Sequence, residues 1–389
     1  MTNKKVKIFI ARFIPFGFLC LFVSMKGTAQ SARTEQGEES IETAMEGDRS
    51  HYVSNPTLTT ILPGNKWKGN ILNRKGRFVS DNYPFQLPFK NIFKWQMQRN
   101  PQKKEKKKEV WKLESTSDSS WLHTEEDCIV WLGHSTFYIR INGVGILTDP
   151  VFGNPYLLYK RKAIFPASTT SLLKKIDYVL ITHDHRDHCD KKSLKTIAKS
   201  TVNVQYMVGL KMYPLIHRAT GSNEIQAAGW YQKFKTDTTK IEIFFLPARH
   251  WSMRAPPFDV NKRLWGSFLI KSHKTTVYFS GDTGYGSHFM ETGTLFPKTD
   301  YAIIPIGAYK PEWIMAPFHT SPEDAVKAFN EIGARNFIPA HYGTFDLADE
   351  PLSNPLTTLK VLNEKNAING ILKTPALGEV VYLTGISEN

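Results

Sequence analysis

The chain has 389 residues, 41% of them apolar and 22% charged, a balance that excludes a wholly disordered polymer and suits one large domain with an extension, or two domains. Its formal charge of +14 is partly local, because five of the 50 basic residues (Lys4, Lys5, Lys7, Arg12 and Lys26) lie in the first 29 positions, which hold no acid. The remainder sets 45 basic against 36 acidic residues, a surplus that favours an anionic surface such as phospholipid headgroups.

Residues 1–29 have the three parts of a secretory signal: a lysine-rich start, the apolar stretch Phe13 to Ser24, and small residues at Gly27 and Ala29. Pro15 and Gly17 interrupt the apolar stretch, which is short for a membrane span. The expectation is an exported protein, periplasmic or envelope-associated, with an uncleaved anchor as the alternative. Residues 30–110 read as an N-terminal arm and basic linker. Gln30 to Ser50 is acidic and polar, His51 to Phe93 is rich in aromatics and proline, and Lys103 to Lys108 is a lysine run expected to be solvated.

Residues 111–389 carry the strand signals of a catalytic domain. Cys128 to Leu132 is an apolar run, and Phe137, Ile139 and Ile141 alternate with Thr136, Tyr138 and Arg140. Asn142-Gly143 then joins this strand to Val144–Leu147 with a strong hairpin signal, and the second strand ends in Thr148-Asp149-Pro150. Further strands are expected at Tyr178–Ile181, Ile241–Leu246, Gly266–Ile270, Thr276–Ser280, Tyr301–Ile306 and Asn336–Pro339. Helices are expected at Lys191–Lys199 and after Ser321, a candidate N-cap followed by Pro322 and Asp324 and closed by Gly333. Hairpins first and then strands alternating with helices predict a layered α/β protein with mixed sheets.

Directly after the strand Tyr178–Ile181 comes Thr182-His183-Asp184-His185-Arg186-Asp187-His188-Cys189-Asp190. His183 and His185 leave extended backbone on one face, and Asp187 and His188 follow where the chain turns. Imidazole and carboxylate at this spacing suit zinc and metals of similar preference. Three other strands also run into such residues: His250, Asp282 and His341. If these strand ends share one sheet edge, His183, His185 and His250 hold one metal, Asp187, His188 and His341 hold a second, and Asp282 bridges them. Cys128 and Cys189 could pair, yet nothing in the sequence brings them together, and Cys189 adjoins His188.

This ordered set resembles the metallo-β-lactamase fold. Within it the chain is similar to the N-acylphosphatidylethanolamine-hydrolysing phospholipase D family and its bacterial relatives. The matching segments are Trp131-Leu132-Gly133-His134-Ser135-Thr136, Leu147-Thr148-Asp149-Pro150, Arg249-His250-Trp251-Ser252, Leu264-Trp265-Gly266-Ser267, His319 with Pro322-Glu323-Asp324-Ala325-Val326, and His341-Tyr342-Gly343-Thr344-Phe345. The resemblance spans about Cys128 to Asp346, with a closing strand near Val380 to Leu383. It implies a four-layer αββα sandwich, two Zn²⁺, and hydrolysis of a phosphodiester by a water that two cations activate. The substrate implied is a phospholipid or other phosphodiester, with peripheral membrane association and without nucleic acid. Asp187 and His319 are the residues it gives a catalytic part, and it makes Asp149 and His134 orienting neighbours of the ligands. Phe318 stands before His319 where the mammalian phospholipase has an amide, so headgroup recognition does not simply transfer. A lactonase or other small-molecule metallohydrolase, and an idle lipid-binding envelope protein, are the competing expectations.

Overall fold

A computed structural model describes residues 51–383 apart from 63, 65–66, 85–90, 92–93, 96, 158, 164, 167–168 and 202. The expectations for residues 1–50, a targeting segment and an acidic lead-in, lie outside the described residues. Among the described residues no helix is long and apolar enough to cross a membrane.

The arm contributes β1 (His51–Val53), β2 (Thr59–Thr60), β3 (Asn70–Leu72) and β4 (Phe78–Val79). The body begins with β5 (Cys128–Gly133), β6 (Thr136–Ile141), β7 (Val144–Thr148), β8 (Tyr178–Ile181), β9 (Gln205–Gly209) and β10 (Ile225–Ala228). A second run follows: β11 (Gln232–Lys233), β12 (Glu242–Leu246), β13 (Ser267–Lys271), β14 (Thr276–Phe279), β15 (Tyr301–Pro305), β16 (Asn336–Ala340) and β17 (Ile371–Leu372). Last, β18 (Val380–Tyr382) returns to pair antiparallel with β5. The helices are α1 (Lys103–Lys108), α2 (Thr169–Leu173), α3 (Lys191–Ser200), α4 (Tyr213–Thr220), α5 (His288–Leu295), α6 (Glu312–Met315), α7 (Pro322–Ile332) and α8 (Asn354–Glu364).

The strands of the body, with β2, form two mixed sheets, β10-β9-β8-β7-β6-β5-β18 and β17-β16-β15-β14-β13-β12-β11-β2, while β1-β3-β4 of the arm make a small antiparallel sheet. The Asn142-Gly143 hairpin is formed, with both residues in the left-handed region (φ 51° and 74°) that such a turn demands. Period-two alternation then sorts the side chains. Ile129, Trp131, Phe137 and Ile139 pack against Ile243, Phe245 and Phe268 of the second sheet. Their neighbours Val130, Leu132 and Tyr138 point the other way, against Leu194 and Ile197 of α3 and Leu215 and Ile216 of α4. On the far side of the second sheet α7 buries Ala325, Val326, Phe329 and Ile332. The order of layers is therefore helix, sheet, sheet, helix.

Because both faces of the first sheet are covered, the polar positions of β6 are buried as well. Arg140 is 3% exposed, and its guanidinium donates to the carbonyls of Trp121 and Glu126 and to Thr124. A buried cation is tolerated where its donors are filled in this way. Cys128 and Cys189 are free thiols, and both are buried. The lysine run forms α1 with no buried residue, and Lys106 ties it to the body through Asp346 and the Ala348 carbonyl. The arm is joined to the body at the sheet edge, where β2 pairs with β11.

Candidate metal centre

Four strands of the two sheets end at one place. His183 and His185 follow β8, His250 follows β12, Asp282 follows β14 and His341 follows β16. Parallel pairing of β14, β15 and β16 keeps the last two ends side by side. Gly281 lets the loops of the two sheets meet: its φ is +59°, and a Cβ there would lie 2.5 Å from the Thr182 side chain. His134 and His341 also take left-handed backbone, φ 56° and 61°, and the His341 N–H donates to the His134 carbonyl. Their rings are close, with centroids 3.9 Å apart and planes tilted by 39°.

All seven residues expected as ligands are buried here. Ligand atoms of His183, His185 and His250 lie within 4.8 Å of one another, as do those of His134, Asp187, His188 and His341, and each set could hold a metal ion. Asp282 stands between them. Its Oδ2 is 3.1 Å from His188 Nε2, 4.0 Å from His183 Nε2 and 3.9 Å from His250 Nε2, while its Oδ1 is 3.2 Å from His341 Nε2. The seven residues named from the sequence are thus brought together, His134 joins Asp187, His188 and His341, and two further groupings, Asp149 with His183 and His188 and Asp282 with His319 and His341, overlap these sets.

Outer contacts fix which nitrogen of each imidazole faces the centre. Asp149 Oδ2 lies 2.8 Å from His188 Nδ1, so that nitrogen donates outward and Nε2 presents its lone pair inward. His250 Nδ1 lies 3.0 Å from the Phe318 carbonyl, with the same consequence. Thr182 Oγ1 already donates to Asp149 Oδ2, so it accepts from His183 Nδ1. His134 Nε2 sits 3.0 Å from Asp187 Oδ2, and the Tyr156 hydroxyl donates to Asp187 Oδ1 at 2.8 Å. Buried His188 Nε2, His341 Nε2 and Asp282 Oδ1 form no hydrogen bond despite their proximity. Buried polar atoms are seldom left so, and inward-facing lone pairs beside a carboxylate fit a cation.

Electrostatics agree with that fit. Burial drives His183 and His250 well below the ordinary histidine value and His185 to about 4, so these imidazoles are neutral at pH 7 and able to ligate. Burial would also lower His188, but the Asp282 and Asp187 carboxylates and the bond to Asp149 outweigh it and hold its pKa well above the ordinary value, so without a cation Nε2 carries a proton beside Asp282, and a metal ion would take that proton's place. Burial would raise Asp282; nearby His188 and His341 instead bring it well below the usual carboxylate range.

His319 follows α6, its N–H donating to the Met315 carbonyl. Its Nδ1 lies 3.8 Å from Asp282 Oδ2 without a hydrogen-bond partner. With Tyr156, His185, Asp187, Asp282, Met315 and His341 it lines a small open cleft. Sequence reasoning missed Tyr156, which belongs to no spacing pattern. It also missed two arginines. Arg254 donates to the carbonyls of Asp184 and Cys189, and Arg263 Nε lies 2.5 Å from the buried Asp184 carboxylate. Together they clamp the histidine loop from behind; an arginine near His250 was the only sequence signal.

Residues 145–342, half of the chain, match the family model of the beta-lactamase superfamily domain. Over 260 residues the chain is 33% identical to the mitochondrial N-acyl-phosphatidylethanolamine-hydrolyzing phospholipase D of Saccharomyces cerevisiae, covering 64% of this chain and 54% of that protein. It therefore spans about half the length of that relative. Over 216 residues it is 33% identical to a metal-dependent hydrolase of Caldivirga maquilingensis, covering 55% of this chain and 82% of that protein. A novel metallo hydrolase from Ignicoccus hospitalis shares the fold, with a TM-score of 0.51 at 22% identity over 66% of this chain and 98% of that one. The chain belongs to the beta-lactamase superfamily and has the metallo-β-lactamase fold.

Proposed function

We propose that the chain is a binuclear zinc phosphodiesterase of phospholipase D type, which cleaves N-acylphosphatidylethanolamine-like phospholipids to phosphatidic acid and an N-acylethanolamine. The observation that carries this reading is the placement of Asp282 between two histidine sets, in a chain similar to the yeast phospholipase. His183, His185 and His250 would hold one Zn²⁺ and Asp187, His188 and His341 the other, with Asp282 shared. Bound there, the ions would supply Lewis acidity and lower the pKa of a water between them.

The chain's own groups do the rest. Tyr156 and His134 fix the two oxygens of Asp187, so that carboxylate cannot rotate away from the cavity. Burial lowers His319 to about 4, which leaves a neutral imidazole at pH 7 with an unpaired nitrogen facing Asp282. Such a group donates a hydrogen bond to a phosphate oxygen or to the departing alcohol. In the reaction one water O–P bond forms, the P–O bond to the headgroup alcohol breaks, and a proton ends on that alcohol. The lysine-rich start and overall basic charge support an exported enzyme working at an anionic lipid surface.

The test is elemental analysis of the purified protein followed by turnover of N-acylphosphatidylethanolamine, a simple phosphodiester and a lactone. Two equivalents of zinc with phosphodiester cleavage support the reading. Lactone turnover alone would replace it with a lactonase, and zinc without any turnover would leave a binding protein.

A further inference from the structure

One side chain of the arm reaches the loops of the metal centre from outside. Tyr83 is half-buried and lies 205 residues from His288 in sequence, yet its hydroxyl accepts the His288 N–H at 3.1 Å and sits 3.3 Å from His288 Nδ1 and 2.9 Å from Ser287 Oγ. Glycine at 286 makes room for it, because a Cβ there would stand 2.5 Å from the Tyr83 hydroxyl oxygen. Behind this contact the path is sealed: His288 is 2% exposed and Thr283 0%. The protons along it have one consistent direction. Thr283 Oγ1 donates to the Gly284 carbonyl at 2.8 Å, so it accepts from His288 Nε2 at 3.0 Å and from the Arg249 N–H at 3.0 Å. A neutral His288 that donates from Nε2 is an acceptor at Nδ1, where it takes the Tyr83 O–H. The path ends at two ligand loops. Thr283 follows Asp282, Arg249 precedes His250, and the Gly284 N–H donates to the Arg249 carbonyl at 2.9 Å. Arg249 also lays its guanidinium over the Tyr83 ring, 5.5 Å from the centroid.

We propose that Tyr83 is a positioning residue of the metal centre: its hydroxyl, acting through His288 and Thr283, fixes the loops that present His250 and Asp282; this rests on the reading of those two residues as metal ligands. A contact that only covered the body would be apolar and replaceable. Here a single hydroxyl selects the imidazole tautomer that Thr283 needs. Phenylalanine at 83 would keep a ring beside Arg249 but leave Nδ1 of His288 a buried acceptor without a donor, a costly state. The imidazole then exchanges tautomer, Thr283 turns its hydroxyl from Gly284 toward it, and the spacing of the two loops is no longer set. Contacts one step behind a ligand tune metal affinity in this way. Tyr83 acts from two side chains back, and on two ligands at once.

Zinc affinity by chelator competition, measured on the intact protein, is the test. Tyr83→Phe should weaken the binding of at least one zinc equivalent by about tenfold. Ser287→Ala, which cuts only the outer bond of the same hydroxyl, should bind as the parent does. In Thr283→Val, which interrupts the path, adding Tyr83→Phe should weaken binding no further. Cobalt(II)-loaded protein gives a second readout, because its visible absorption reports ligand geometry rather than stability: Tyr83→Phe should shift the parent's bands and Ser287→Ala should not. An unchanged zinc affinity or an unchanged cobalt spectrum in Tyr83→Phe overturns the proposal and leaves the metal centre intact. So does a Ser287→Ala variant that loses as much, or a second full loss in the Thr283→Val background, since Tyr83 would then act by another route. A parent that binds neither ion fails the metal reading itself, and the positioning role with it.

Discussion

The Asp149 carboxylate bonds His188 Nδ1 at 2.8 Å with one oxygen and the Thr182 N–H at 2.8 Å with the other, so one buried side chain orients a ligand of the second set and the strand end bearing the first. Its backbone φ is +33°, where asparagine is also at ease. Asp149→Asn should therefore keep the fold while turning one acceptor into an amide donor. The expected result is a fall of about 10–100-fold in zinc affinity, read by chelator competition, with circular dichroism unchanged. Unchanged affinity would remove Asp149 from the account.

Among the described residues, Asp282 is the only one whose carboxylate approaches all of His183, His188, His250 and His341. Asp282→Ala should lower the zinc content from two equivalents toward one and abolish turnover of any phosphodiester the parent cleaves. Full occupancy in this variant, by elemental analysis, would show that the two sets are independent.

These residues were legible because each lies at the end of an apolar strand. Tyr178–Ile181, Glu242–Leu246, Thr276–Phe279 and Asn336–Ala340 are buried on both faces, and a continuous apolar run that stops at His or Asp is visible without coordinates. The hairpin at Asn142-Gly143 and the cap at Ser321 were legible for the same kind of local reason. Gln205–Gly209 and Ile225–Ala228 were not. They are short, carry Gln, Ala and Gly, and become strands through parallel pairing with β8 and with each other, a non-local cause. Arg254, Arg263 and Tyr156 were hidden by sequence separation: Arg263 meets Asp184 across 79 residues, and no periodicity encodes that.

The Arg263–Asp184 pair has an energetic consequence. The Asp184 side chain is fully buried and that of Arg263 is 17% exposed, with a second contact to Asp259. Removing one partner of a buried pair costs about 3–5 kcal/mol, because the other charge is left uncompensated. Arg263→Met should destabilise the metal-free protein by about 3 kcal/mol, toward the lower end of that range because the pair is not wholly sealed. The Asp184→Asn/Arg263→Met double variant should recover part of the loss. A double variant as unstable as the sum of the singles, by denaturant titration, would refute the pairing.

Acid should destabilise the protein through its buried neutral histidines, and His288 isolates the effect away from the ligands. It sits under the arm, with Nε2 3.0 Å from Thr283 Oγ1 and its ring edge-on to Tyr83. Burial, with some repulsion from Arg249, lowers its pKa from 6.5 to about 3. Between those values the unfolded chain binds a proton that the folded chain refuses. Stability from this group is therefore complete above pH 6.5, is lost as pH falls toward 3, and changes no further below that. Its slope is about 1.4 kcal/mol per pH unit. His188, whose pKa is raised, acts in the opposite sense, but it is present in the parent and in His288→Gln alike and cancels in their difference. Denaturant titrations of both metal-free proteins between about pH 6.5 and 4.5 should show the parent losing about 1.4 kcal/mol per unit more than the variant. Parallel curves would mean that His288 is protonated in the folded protein, and that its bond to Thr283 is made by an imidazolium.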